Sequence, residues 1–118
     1  MSLLGRLLKI KKKADAKLKV EEYAELMCDK GLEKYNDRVV NIVYSRNKLS
    51  RFVLLSTENG LFRGELEQLK EDKLSPPDAP LPVCWEPVFP RHHVSYYESE
   101  KLALDEFRAS PEYIRYFL

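Results

Sequence analysis

The sequence is poor in the residues and spacings that most catalytic and ligand-binding motifs require. Its 118 residues include only two histidines, two cysteines and four glycines, and the glycines at positions 5, 31, 60 and 64 form no phosphate-binding loop. No apolar run approaches the roughly 20 residues that a membrane-spanning helix needs. The N-terminal lysines follow the leucines, which is the reverse of the order in a secretory signal. Nothing therefore supports a P-loop enzyme, a transmembrane protein or a secreted one.

The spacing of the cysteines and histidines does not match a metal site or a catalytic Cys–His pair. Cys28 and Cys84 are far apart among apolar neighbours, which favours reduced, buried thiols in a cytoplasmic protein over a disulfide framework. His92 and His93 are adjacent, and on an extended chain they would point to opposite faces. Cys84 could pair with either histidine only in space, and beside Trp85 it behaves as a small hydrophobe. We therefore predict no metal site, no cofactor, no catalytic residue and no enzymatic activity.

Charge is present in quantity, but it is unevenly distributed. Residues 1–20 carry seven Lys or Arg against one acid, a net charge of +6, whereas residues 21–118 carry 13 bases and 18 acids, a net charge of −5. Apolar residues make up 44% of the chain, enough for one globular domain. The sequence therefore predicts a single domain over residues 1–118 with a basic N-terminal arm, residues 1–19.

The basic arm has the pattern of an amphipathic helix. In "SLLGRLLKIKKK" (2–13), leucines recur at helical spacing and lysines follow them. Such a helix can lie on an anionic membrane, contact nucleic acid, or dock on the domain itself or a partner. We favour docking, because the lysines crowd one end and no aromatic residue anchors the stripe. The residues concerned are Leu3, Leu4, Leu7, Leu8, Lys11, Lys12 and Lys13.

The middle of the chain changes to the pattern of β-strands. A helical pattern over 20–30, with Gly31 as its stop, either continues the N-terminal helix or follows a break near residues 14–19. Strands follow at 38–46, which is rich in β-branched residues, and at 51–57, which is apolar at four successive positions. Asn59-Gly60 favours a two-residue type I′ hairpin. That turn would pair Val53 with Leu66 and place Phe52 and Leu54 opposite Glu67 and Glu65, on a solvated strand face.

The C-terminal part predicts an edge strand and two short helices. A proline-rich loop (70–82) leads to a strand at 83–89 that Pro87 interrupts. Ser99 is a candidate N-cap for a helix over 100–108, and Ser110-Pro111 begins another helical segment. The predicted fold is α+β: an N-terminal helix or helices, a three- to four-stranded antiparallel meander, and C-terminal short helices.

The candidate functional surface combines acidic residues with the stretch that follows the proline loop. Tyrosine and arginine are enriched among residues that dominate protein–protein binding energy. In size and layout, including "SYYESEKLALDEF" (95–107), the chain resembles small bacterial proteins that neutralise a toxin or accompany a larger partner. We predict a non-enzymatic protein-binding module of this inhibitor, immunity or accessory type, located in the cytoplasm. The alternative is a peripheral membrane or nucleic-acid-associated protein acting through the arm. The predicted partner-binding residues are Arg91, His92, Tyr96, Tyr97, Glu65 and Glu67.

Overall fold

A computed structural model describes residues 19–74, 81–88 and 95–118. The fold is α+β, as predicted, with an antiparallel sheet in the meander order β1-β2-β3-β4 and a short fifth strand that also pairs with β3. The elements are a 3₁₀ turn at Val20–Tyr23, α1 (Ala24–Met27), β1 (Arg38–Tyr44), β2 (Ser50–Ser56), β3 (Phe62–Glu71), β4 (Val83–Pro87), β5 (Tyr96–Tyr97), α2 (Glu100–Arg108) and α3 (Pro111–Phe117).

The two C-terminal helices begin where their capping residues predict. The Ser99 side chain accepts a hydrogen bond from the Leu102 amide at 3.1 Å, and α2 follows it. The Ser110 hydroxyl accepts from the Tyr113 amide at 3.3 Å, with Pro111 in the first helical position. Both serines satisfy amides that the helix itself leaves without partners.

The N-terminal helix is shorter than the pattern predicts, because it stops at Met27 rather than near residue 30. The Trp85 indole N–H donates to the Met27 carbonyl at 2.9 Å, so a distant strand binds the oxygen at the helix end. The chain then turns through positive φ at Asp29 (65°) and Gly31 (72°). The predicted helix over 2–13 lies outside the described residues.

The β2–β3 hairpin forms at the predicted place, but its predicted type I′ turn and register are wrong. The Thr57 amide donates to the Leu61 carbonyl at 2.8 Å, which leaves a three-residue loop. Gly60 has φ +77°. Asn59 does not have the positive φ that a type I′ turn requires at both central residues. A type I turn closed by a left-handed glycine is the usual three-residue solution.

The longer loop shifts the pairing of β2 with β3 by one residue. Each side chain of β3 therefore shares a face with the β2 residues that the sequence places on the opposite face. Phe52 pairs with Leu66 rather than with Glu67. Leu54 pairs with Gly64 rather than with Glu65. One face therefore carries apolar side chains from both strands, and we call it the aromatic face: Phe52, Leu54, Phe62 and Leu66. The other, the charged face, carries Arg51, Val53, Leu55, Arg63, Glu65 and Glu67.

The aromatic face is covered by α2 and α3. The Phe52 ring stacks on Phe107 of α2, with centroids 4.0 Å apart and planes 6° from parallel. Tyr113 and Phe117 of α3 meet Phe107 edge-on at 5.3 and 4.9 Å. Gly64 makes room for this stack, because a Cβ atom there would lie 2.0 Å from Phe52 Cζ. The sequence predicts a solvated strand face for Phe52 and Leu54, but both residues are buried.

The remaining strands close one edge of β3. β4 ends at Pro87, as predicted for a strand that proline interrupts, and it pairs with residues 67–71 of β3. β5 pairs with Phe62 and Arg63, further along the same edge. The sequence predicts no strand at 96–97, because two residues carry too little periodicity. β5 thus brings the C-terminal part of the chain to the hairpin end of the sheet, whereas β4 pairs with the opposite end of β3.

Candidate functional site at the hairpin end of the sheet

The charged face is built around a fully buried arginine. Arg51 Nε donates to Glu67 Oε1 at 2.8 Å and its Nη1 donates to the Lys30 carbonyl at 2.7 Å. Its guanidinium lies 4.3 Å from the Trp85 ring centroid. The Lys34 ammonium also pairs with Glu67 and donates to the Trp85 carbonyl. These contacts fasten the irregular segment 28–37 to the sheet, because that segment has no ladder of its own.

The sequence predicts that Glu67 lies on a solvated face, but Glu67 is only 1% exposed. Glu65 is also buried, and its carboxylate accepts from Arg63 Nη1 at 2.7 Å. The error follows from the register, since the shift by one residue turns these side chains beneath the covering segment. Whether either residue contacts a partner stays a prediction.

Arg63 links the sheet to the segment that enters β1. Its Nε donates to Asp37 Oδ2 at 2.7 Å, while its Nη1 donates to Glu65. Burial lowers the pKa of Arg63, but the two carboxylates outweigh it and raise the pKa above the ordinary value. The guanidinium is thus held in one orientation and stays charged.

Tyr35 lies close to the ion pairs of Glu67 and to those of Arg63. Its hydroxyl is buried and has no hydrogen-bond partner within the described ranges. Burial, together with the carboxylates of Glu67 and Glu65, raises the pKa of Tyr35 above its ordinary value. The ring is 5.3 Å from the Lys34 ammonium and 6.0 Å from the Arg63 guanidinium carbon. The phenol is therefore held neutral between charged neighbours.

Tyr96 of β5 completes a surface feature that we call the hairpin cleft. Two depressions of about 350 Å³ each meet at Asp37 and Tyr96. The Tyr96 side chain is 58% exposed beside the fixed Arg63. The other lining residues are Lys34, Tyr35, Asn36, Arg63 and Glu65 on one side and Thr57, Glu58, Asn59 and Leu61 on the other.

The structure brings some of the predicted partner-binding residues together and separates others. Tyr96 and Glu65 both line the hairpin cleft, and Glu67 lies beneath it in the buried network. Tyr97 lines a cavity on the aromatic face instead, because consecutive residues of a strand point to opposite sides. Arg91 and His92 lie outside the described residues, as do the predicted arm residues of the N-terminal helix.

Sequence reasoning missed the residues of the segment before β1. Tyr35 and Asp37 complete the cleft, yet nothing in "LEKYND" (32–37) indicates that it folds over a sheet. One signal was available: Arg51 directly precedes four successive apolar residues in the second strand. A charge beside so apolar a run indicates a buried ion pair, and it favours a register that places a carboxylate of the next strand opposite Arg51.

The hairpin cleft brings together charged and polar groups from β3, β5 and the segment before β1. It presents a fixed guanidinium, carboxylates, an amide and two phenols. Within residues 19–74, 81–88 and 95–118, no group of three or more His, Cys, Asp or Glu is arranged to hold a metal ion. Both cysteines are free, and they are only partly buried, whereas the sequence predicts buried thiols. Burial and the carboxylates of Asp72 and Glu86 raise the pKa of Cys84, which keeps its thiol protonated at neutral pH.

Comparisons with known proteins assign no family. A scan against protein-family models found no match, and neither did searches of curated proteins and of solved structures. In the part of the chain that the structure describes, no helix is long and apolar enough to cross a membrane.

Proposed function

We propose that this chain is a protein-binding module without catalytic activity, and that the hairpin cleft forms the centre of its partner interface. The observation that carries the proposal is Tyr96, a largely exposed aromatic side chain next to an arginine that two carboxylates hold in place. Tyrosine and arginine are the residue types whose truncation most often costs large amounts of binding energy.

The preorganisation of the cleft also supports this proposal. Arg63 is already held by Asp37 and Glu65 before any partner arrives. A side chain fixed beforehand loses little conformational entropy on binding. The cleft mixes charges of both signs, which favours a polar protein surface over a strongly anionic ligand such as nucleic acid. Acting as an inhibitor or accessory of a larger protein fits a small domain with a preorganised cleft.

Site-specific cross-linking tests this function in two stages. A photoreactive residue in place of Tyr96 should capture a protein in an extract of the source cells. The same residue in place of Leu74, which is 96% exposed and does not line the cleft, is the matched control. The captured protein is then produced in pure form and its Kd for the unmodified chain is measured.

The Tyr96→Ala variant should weaken that Kd by roughly 30-fold, which corresponds to about 2 kcal/mol for a residue at the centre of an interface. Leu74→Ala should leave the Kd unchanged. Equal capture at positions 96 and 74, or equal affinity of the two alanine variants, would contradict a partner interface at the hairpin cleft.

A second candidate function follows from the charge distribution, with +6 in residues 1–20 and −5 in the rest. An anionic membrane or nucleic acid would attract the arm and leave the acidic domain in solvent. Flotation of the full chain with anionic and neutral vesicles, each at low and high salt, tests the membrane form of this function. Co-flotation that needs anionic lipid, falls with salt and is lost in Leu4→Glu/Leu8→Glu would favour it over docking of the arm on protein.

A further inference from the structure

A second concavity opens on the aromatic face, on the opposite side of the sheet from the hairpin cleft. Its volume is about 170 Å³, and it lies between β3, β5 and the two C-terminal helices. The floor is apolar and is made by Phe52, Leu66, Ala103 and Phe107. Tyr97 of β5 also lines it. Because the Phe52 and Phe107 rings are stacked and buried, this floor is rigid.

Two carboxylates join this apolar floor. Glu106 comes from α2 and Glu112 from α3. Neither carboxylate forms an ion pair with any side chain in the described part of the molecule. Asp105, which precedes Glu106 on α2, does form one, with Lys101 at 2.5 Å. The Ser110 hydroxyl in the lining is already engaged, because it caps α3. The hydroxyls of Ser95 and Tyr97 also line the cavity, but its two charged groups are both anionic.

Size and chemistry together restrict what can occupy the cavity. Sites for whole small-molecule ligands usually measure about 300–1,000 Å³, so 170 Å³ suits a single side chain better. An acidic group would be repelled by the two carboxylates, and a purely apolar group would gain no electrostatic attraction from them. Lysine and arginine have an apolar stem that can cover the rings and a cationic head that can reach the carboxylates.

We propose that this cavity receives one lysine or arginine side chain of a partner protein. The stem lies on Phe52 and Phe107, and the cationic head bonds to Glu106 and Glu112. Ionised partners on both sides give the stronger class of hydrogen bond. This inference is independent of the hairpin cleft, because it concerns the other face of the sheet and Tyr97 rather than Tyr96.

Methyl NMR of the full chain tests the proposal with defined probes. The methyl signals of Ala103 and Leu66 are followed during titration with Nα-acetyl-lysine methylamide and with the corresponding arginine compound. Both compounds should shift the signals in a saturable manner at millimolar concentrations. The norleucine methylamide, which has a similar stem and no charge, should not do so.

Charge-neutralising variants locate the effect. Glu106→Gln/Glu112→Gln should weaken binding of the lysine and arginine probes at least about tenfold, because two charge-assisted hydrogen bonds are lost. Glu33→Gln/Glu98→Gln removes the same net charge from two exposed positions outside the lining and should bind as the unmodified chain does. The amide spectrum of each variant checks that it remains folded.

Three results would overturn the proposal. The first is the absence of saturable shifts, and the second is equal binding of norleucine and lysine probes. The third is a change of the Ala103 and Leu66 signals, without any probe, when Lys11, Lys12 and Lys13 are replaced by glutamine. That third result would assign the cavity to the arm of this chain rather than to a partner. The effect of Tyr96→Ala on partner binding does not depend on these methyl signals. The proposal for the hairpin cleft and the proposal for this cavity can therefore be contradicted independently.

Discussion

The two faces of the sheet are covered in different ways. On the aromatic face, aromatic side chains of two capped helices pack on the sheet. On the charged face, ion pairs and side-chain hydrogen bonds hold an irregular segment to the sheet. Phe52 and Phe107 represent the first kind of contact, and Arg51 and Glu67 the second. Stacked rings tolerate small shifts of the covering helix, but a buried ion pair requires its geometry. The charged face should therefore be the more sensitive to loss of one partner, and it is also the face that carries the hairpin cleft.

The largest expected effect is on the charged face. Replacing Glu67 by leucine leaves the buried Arg51 without its carboxylate, and breaking one side of such a pair costs about 3–5 kcal/mol. The double variant Arg51→Met/Glu67→Leu should lose much less, because no fully buried charge is left unpaired. Lys34 also loses Glu67, but its side chain is partly exposed and can be hydrated. Urea unfolding of Arg51→Met, Glu67→Leu and the double variant measures the free energy of unfolding of each.

Glu71→Leu is the control for that experiment, because Glu71 is exposed at the end of the same strand. A change within about 0.5 kcal/mol is expected there. If Glu67→Leu is as mild as Glu71→Leu, the buried pair is not what holds the segment 28–37 to the sheet.

A somewhat smaller effect is expected on the aromatic face. Gly64→Ala places a Cβ atom 2.0 Å from Phe52 Cζ, so the Phe52 ring must leave its stack on Phe107. Overpacking of this kind typically costs about 1–3 kcal/mol. Phe52→Leu shortens the clashing side chain and should recover part of the loss when the two changes are combined. Additive losses in the double variant would show that the ring and the glycine do not compete for the same space.

The cover of the aromatic face also depends on helix capping. Ser99→Ala removes the acceptor for the Leu102 amide and should cost about 1 kcal/mol. Ser99→Asp keeps an acceptor at that position and should retain most of the stability. Thermal unfolding of both variants compares them. Equal losses in the two would mean that the side-chain acceptor contributes little to α2.

The smallest effect at neutral pH, but the most informative about the charged face, is expected from Tyr35→Phe. The pKa of Tyr35 is raised in the folded protein. Its neutral phenol therefore contributes stability that is fully present below the ordinary tyrosine pKa of about 10 and is lost as the pH rises above it. The variant should consequently lose less stability than the unmodified chain above about pH 10.

Tyr96→Phe is the matched control, because the Tyr96 ring is largely exposed. Its stability should follow that of the unmodified chain across the same pH range, as measured by urea unfolding at each pH. An identical alkaline profile for Tyr35→Phe would show that the Tyr35 phenol does not couple ionisation to folding.

The sequence by itself determined the elements whose signals are local. The caps at Ser99 and Ser110 set the starts of α2 and α3, because a side chain needs only its own helix to satisfy the first amides. Pro87 ended β4 for an equally local reason, since proline has no amide proton to donate. The α+β order follows from the change of hydrophobic period along the chain.

Only the tertiary structure decided which face each strand residue occupies and what covers it. Asn59-Gly60 is compatible with a two-residue or a three-residue hairpin loop, and the choice moved Glu65 and Glu67 from solvent to the interior. The three-residue loop joins Arg51 to Glu67 and Phe52 to Leu66, whereas the two-residue loop would oppose phenylalanine to a carboxylate. Burial of one unpaired charge outweighs the small preferences among turn types, so long-range pairing decided the register and, with it, the hairpin cleft.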